Sequence, residues 1–125
     1  MSTILVIDDD LAVLKFFGTI LEDAGYSVQL CHSGGDAKKL LRQTPIDLVV
    51  LDLNMPEPDG FDLLKELRAA MPGLRIVVVS GYLDGALLTA AKWLGATAVL
   101  SKSDAPGMLV KTVNDILQKF PPESG

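Results

Sequence analysis

The sequence predicts one α/β domain, a parallel five-stranded sheet with helices on both faces. Three observations lead to that class. Five short runs rich in Val, Ile and Leu recur at 4–7, 28–31, 48–51, 76–79 and 97–100. They show little polar alternation, as strands covered on both sides of a parallel sheet do. The segments between them carry apolar residues at helical spacing. Strict alternation of strand and helix requires right-handed crossovers, and 125 residues suit one domain with a core of its own.

Each helix has its own signals. Asp10 precedes the first as N-cap, Leu14, Phe17, Ile20 and Leu21 form its stripe, and Gly25 ends it as a left-handed cap. Ser33 and Asp36 give the segment 33–42 a capping-box start, although Gly34 and Gly35 lower its helix propensity. The third helix runs along Phe61, Leu64, Leu67 and Met71, opened by Asp59 and closed at Pro72. Leu87, Ala90, Ala91 and Leu94 mark the fourth, closed by Gly95. The fifth carries Leu109, Val113, Ile116 and Leu117, with Asp104 as its N-cap. Residues 1–120 make up the domain, and 121–125 read as a disordered tail or the start of a linker.

Composition narrows the function classes. With 49% hydrophobic and 22% charged residues the chain reads as a soluble globular protein. A net charge of −5 argues against bulk attraction to nucleic acid or to an anionic membrane. No signal peptide or membrane span is expected. Cys31 is the sole cysteine, which excludes an internal disulfide and suits a reducing cytoplasm.

The chemistry follows from the fold. In an open parallel sheet, ligands bind at the carboxyl ends of the strands, near the switch in strand order. Asp8 and Asp9 end the first strand, Asp52 the third, Ser80 the fourth and Lys102 the fifth, so these residues should converge. Carboxylates packed that closely cannot all stay ionised without a cation. A hard oxygen set with few carboxylates suits Mg²⁺, which keeps several waters and accepts phosphate oxygens. Lys102 adds a point positive charge and Ser80 a hydroxyl. Such a site fits a phosphoryl group in flight, whose transfer needs mainly positioning and charge neutralisation. Asp52, on the middle strand, is the best-placed nucleophile and would carry an aspartyl phosphate.

At this point the residues resemble a family. The stretch 51–60, Leu-Asp-Leu-Asn-Met-Pro-Glu-Pro-Asp-Gly, resembles the signature of response regulator receiver domains (chemotaxis-regulator-like), the phosphoacceptors of two-component signalling. Val6-Ile7-Asp8-Asp9-Asp10 looks like the family's acidic pair, Val79-Ser80-Gly81 like its hydroxyl-plus-small element, and Lys102 like its lysine. The resemblance runs from Ile4 to about Lys119. It implies a flavodoxin-like, doubly wound sheet of order 2-1-3-4-5 with five helices. It also implies that Asp52 takes a phosphoryl group from a sensor histidine kinase or phosphotransfer protein. Asp9, Asp52 and the backbone carbonyl of Asn54 would ligate Mg²⁺ directly, and Asp8 mainly through water. Lys102 and Ser80 would bind the phosphoryl oxygens, with Gly81 leaving room for them. Such a protein is a phosphoacceptor that catalyses its own phosphotransfer and dephosphorylation. Its partners would be the kinase and a downstream protein docked on the face of helix 4, strand 5 and helix 5. A phosphorylation-dependent dimer belongs to the same expectation, and neither nucleic acid nor membrane is a direct partner.

Two positions depart from the family's pattern. Val99 stands where an aromatic residue is usual, and Lys102-Ser103 where many relatives have Lys-Pro. The run Lys-Ser-Asp-Ala-Pro at 102–106 resembles receivers attached to LuxR-type output domains. Competing readings are weaker. A pure interaction domain would not need the intact acids, Ser80 and Lys102. An aspartyl-phosphate phosphatase would want an acid where Asn54 stands. A flavodoxin-type cofactor carrier would want a phosphate-cradling glycine loop after the first strand. Asp10 and Asp59 read as caps, His32 as a solvated loop residue and Cys31 as a small buried apolar side chain. Trp93 lies off its helix's inward stripe and is expected to pack partly along the flank. Asn54 and Tyr82 flank the line of water attack, and Tyr82 is expected to slow loss of the phosphate.

Overall fold

The computed structural model describes residues 2–53, 60–81 and 85–119, without the side chains at 85, 87 and 88. Expectations for Asn54, Asp59, Tyr82, the Leu87 side chain and the tail 121–125 lie outside the described residues.

Among the described residues strands and helices alternate: β1 (Thr3–Ile7), α1 (Leu11–Asp23), β2 (Ser27–Cys31), α2 (Gly34–Gln43), β3 (Leu48–Asp52), α3 (Gly60–Ala70), β4 (Arg75–Ser80), α4 (Gly85–Trp93), β5 (Ala98–Ser101) and α5 (Ala105–Lys119). The sheet is parallel throughout, in the order β2-β1-β3-β4-β5. Side chains alternate between its faces. Ile4, Val6, Val50 and Val77 meet Leu14, Phe17 and Leu21 of α1 and Leu109 and Val113 of α5. Leu5, Ile7, Val49 and Val78 face the other way, toward Leu41 of α2, Leu63, Leu64 and Leu67 of α3 and Ala91 of α4.

Several helix boundaries follow from their caps. The Asp10 carboxylate accepts from the N–H groups of Ala12 and Val13, and Ser33 Oγ accepts from Asp36 N–H. Gly25 and Gly95 turn the chain at positive φ, +99° and +110°, where a side chain would be strained.

Several expectations need correction. Coverage on both faces fails at β2, an edge strand with one neighbour, where Gln29 and Leu30 are exposed. β5 starts at Ala98 and not at residue 97. Thr97 still joins the sheet, since its N–H donates to the Ile76 carbonyl and its hydroxyl accepts from the Ile76 N–H. In α3 the stripe omitted Leu63, which is as fully buried as Leu64, whereas Phe61 is half-buried. Leu63, Leu64 and Leu67 point inward together because Leu67 lies four residues from Leu63 and three from Leu64, spacings that share a helix face. Met71 and Leu94 follow their helices, each donating its N–H back into the last turn.

Trp93 does not pack along the flank of α4: it is 85% exposed. The reason is rotational. Ala91 is buried in the core, and two residues further on the helix has turned by about 200° to the opposite side.

Two contacts lock the α3 layer. Arg68 donates to the Gly95 carbonyl through Nε at 3.1 Å and Nη2 at 2.6 Å, and to the Pro72 carbonyl through Nη1 at 2.7 Å. One guanidinium thus satisfies the end of α3 and the turn after α4, and its burial holds its pKa below the usual value. At the other end, α3 begins against the backbone of β3. A Cβ on Gly60 would lie 2.3 Å from Leu53 Cα and 2.7 Å from the Asp52 carbonyl oxygen. Gly60→Ala must therefore shift backbone, and an overpacking loss of about 1–3 kcal/mol is expected in urea denaturation followed by circular dichroism. Unchanged stability would show that α3 yields freely here.

Candidate functional site

The carboxyl ends of the strands meet along one edge of the sheet. Asp52 is the last residue of β3, and Asp8 follows β1 directly, its N–H donating to the Cys31 carbonyl. Ser80 ends β4 and pairs with Ser101, the last residue of β5. Lys102 then extends that pairing, its N–H donating to the Ser80 carbonyl at 2.9 Å.

One carboxylate oxygen from each of Asp8, Asp9 and Asp52 lies within 4.8 Å of the other two. Asp8 and Asp52 are buried, at 1% and 2% exposure, whereas Asp9 is open to solvent. Lys102 Nζ stands 3.3 Å from Asp52 Oδ2 and 3.6 Å from Asp8 Oδ2. Asp8 Oδ1 accepts from the Asp10 N–H at 2.9 Å, while Asp8 Oδ2 is buried without a hydrogen-bond donor. Desolvation pushes the Asp8 carboxyl up to about 6; the Asp10 N–H opposes this and the Asp52 charge reinforces it. Burial pulls the Lys102 ammonium down, but the charges of Asp52 and Asp8 outweigh it and hold its pKa above the ordinary value.

These facts bear on a cation. Among the described residues, carboxylates of three aspartates converge, Asp8 Oδ2 is buried and accepts no hydrogen bond, and Lys102 faces the group. The set is hard and compact, and it fits a small divalent ion that retains waters.

The sequence-expected residues Asp8, Asp9, Asp52 and Lys102 are brought together, and Ser80 is buried at the end of the neighbouring strand. Asn54 lies outside the described residues. His32 is exposed in the turn after β2, and Cys31 is buried, its thiol pushed up by burial and by the Asp36 charge. Val99 is half-buried against the core of the α2–α3–α4 layer. Sequence reasoning missed Ser101. Its hydroxyl accepts from the Asp104 N–H at 3.0 Å and lies 3.1 Å from the Ser103 hydroxyl, inside the turn that presents Lys102. The Lys-Ser-Asp spacing after it was the available signal.

A model of the response regulator receiver domain matches residues 4–114. The chain is a receiver domain of that family. The receiver is 31% identical over 119 residues to the transcriptional regulatory protein GlrR of Escherichia coli, covering 95% of this chain and 27% of that one. It is 37% identical over 106 residues to the alginate biosynthesis transcriptional regulatory protein AlgB of Pseudomonas aeruginosa, covering 85% of this chain and 24% of the other. It thus spans about a quarter of the length of these relatives. A CheY-like receiver domain protein from Methanospirillum hungatei superposes with a TM-score of 0.88 at 27% identity, covering 95% of each chain. The five-stranded order β2-β1-β3-β4-β5 with five helices is the flavodoxin-like receiver fold. Membership places the receiver in phosphorylation-dependent two-component signalling, and the pocket of Asp8, Asp9 and Asp52 is consistent with a phosphoacceptor site. Among the described residues no helix is long and apolar enough to cross a membrane.

Proposed function

We propose that Asp52 accepts a phosphoryl group from a phosphohistidine of a sensor histidine kinase or phosphotransfer protein. The observation that carries this reading is the convergence of the Asp8, Asp9 and Asp52 carboxylates opposite Lys102 Nζ. An Asp52 oxygen attacks phosphorus in line, the bond from phosphorus to the donor's imidazole nitrogen breaks, and that nitrogen keeps the electron pair. Lys102 and Ser80 take up the charge of the phosphoryl oxygens. Asp9, Asp52 and the Asn54 carbonyl would hold Mg²⁺ directly and Asp8 through water, and the ion would offset the charge gathered in transfer. Loss of the phosphate to water is catalysed by the same residues, so the protein acts on its own phosphate and on no separate substrate. The face of α4, β5 and α5 carries the response to a downstream partner or a second copy. The transcriptional regulators among its relatives support a partner or linked module that governs transcription. The lone Cys31 supports a cytoplasmic setting, and residues 1–120 form the working unit.

Titration with Mg²⁺, then beryllofluoride, followed by amide NMR tests this. Shifts should centre on Asp8, Asp9, Leu53, Ser80 and Lys102. Failure of both titrations would defeat the reading. Lys102→Ala should keep Mg²⁺ binding or tighten it up to about tenfold, because a competing positive charge is gone; abolished metal binding would mean the lysine has another role.

A further inference from the structure

We infer that Ser101 is a positioning residue for Lys102, an inference that rests on the phosphoacceptor reading above. Lys102 leaves the sheet one residue beyond β5. Its N–H is tied to the Ser80 carbonyl, but the residue after it is Ser103, which imposes no restriction on φ as a proline would. The turn that follows is closed by Ser101. The Asp104 N–H donates both to the Ser101 carbonyl at 3.2 Å and to the Ser101 hydroxyl at 3.0 Å. The Ser103 hydroxyl lies 3.1 Å from the same oxygen, and Ser101 is only 7% exposed. A buried strand-end hydroxyl that captures the main chain three residues on is a local brace, of the kind Ser forms in turns. What it braces is the one segment carrying Lys102, and α5 starts directly behind it at Ala105.

The side chain of Lys102 must place its ammonium between Asp8 and Asp52, 3.6 and 3.3 Å away. A rotation of the turn of a few tens of degrees would swing that long side chain out of the pocket. Ser101 therefore acts on the site without touching phosphate or metal: it limits how far Lys102 can wander, and its partner Ser103 shares the task.

The consequence is measurable through the metal. If Lys102 competes with Mg²⁺ for the carboxylates, loosening Lys102 weakens that competition. Ser101→Ala should tighten Mg²⁺ binding by roughly 2- to 5-fold, the scale of one net hydrogen bond, in the same direction as Lys102→Ala but smaller. Ser101→Thr keeps the hydroxyl and should return the affinity to that of the parent. The deciding arm is the double variant. In a Lys102→Ala background, Ser101→Ala should leave Mg²⁺ affinity unchanged, because the group through which it acts is gone. Affinity would be read from amide shifts during a Mg²⁺ titration, with thermal unfolding showing that each variant is folded. Equal Mg²⁺ affinity in Ser101→Ala and the parent, or an equal effect of Ser101→Ala with and without Lys102, would overturn the inference. Failure of the parent to bind both Mg²⁺ and beryllofluoride would instead count against the phosphoacceptor reading itself.

Discussion

Asp52→Asn, incubated with Mg²⁺ and acetyl phosphate, is expected to take up no label, while the parent becomes phosphorylated. The amide is nearly the same size as the carboxylate, so β3 and its partners should be undisturbed. What is lost is the nucleophile, together with one of the three carboxylates lying within 4.8 Å. Removing the attacking group of a covalent reaction costs on the order of 10³-fold or more in rate, because no neighbour takes over bond formation. Asp8 and Asp9 are the rival acceptors. Asp9 is exposed, without the buried setting of Asp52, and Asp8 holds the Asp10 N–H with one of its oxygens. Hydroxylamine-labile label on intact Asp52→Asn, located by mass spectrometry at either neighbour, would show that the acceptor had been misassigned. Chelation of Mg²⁺ should abolish labelling of the parent without unfolding it.

The second large effect concerns stability. Without a divalent ion, the acid pocket should destabilise the protein near neutral pH, and Asp8→Asn should relieve it. The Asp8 carboxyl rises from 3.8 to about 6, chiefly because burial removes water from the charged form. A carboxyl raised in the folded state binds its proton more tightly there than in the unfolded chain. Stability from this group is therefore fully present below about pH 4 and is lost as pH rises from 3.8 through about 6. At pH 7 the full difference stands against folding, about 3 kcal/mol at 1.36 kcal/mol per pKa unit. Asp8→Asn removes the charge, keeps an acceptor for the Asp10 N–H, and should raise metal-free stability by about 1–3 kcal/mol at pH 7. The gain should shrink as pH is lowered toward 5, and saturating Mg²⁺ should shrink it at pH 7 by stabilising the parent more than the variant. Urea curves of the parent and the variant at two pH values, with and without the ion, make these comparisons. A variant less stable than the parent in the metal-free state would contradict this account of Asp8.

The same pocket shows why some of this molecule is legible in its sequence. All strands of a parallel sheet end on one edge, so Asp8, Asp52, Ser80 and Lys102, each read as a strand end, had to converge once the alternation was recognised. Caps are local, and Asp10, Ser33, Gly25 and Gly95 could be read from a few neighbours apiece. Contacts between distant segments were not legible. Nothing near Arg68 in sequence announces that its guanidinium reaches the Gly95 carbonyl, 27 residues away. The Asp-Gly pair at 59–60 could be matched as a motif, but the reason for glycine is a backbone 2.3 Å away that only the fold supplies. Ser101 passed as an ordinary strand residue because its role depends on a turn closing over it. The edge position of β2 depends on strand order, which came from family resemblance and not from the pattern of the run itself.

The outward turn of Trp93 carries a spectroscopic consequence. It is the only tryptophan in the chain, and at 85% exposure its indole already meets water in the folded state. Unfolding changes that environment little, so intrinsic fluorescence should report denaturation with a small amplitude and little red shift. Any molecule that settles over α4 has the opposite effect, drying the ring and moving its emission to shorter wavelength. In this receiver, native fluorescence is a poor gauge of folding and a ready probe of what lands on α4, with no label added.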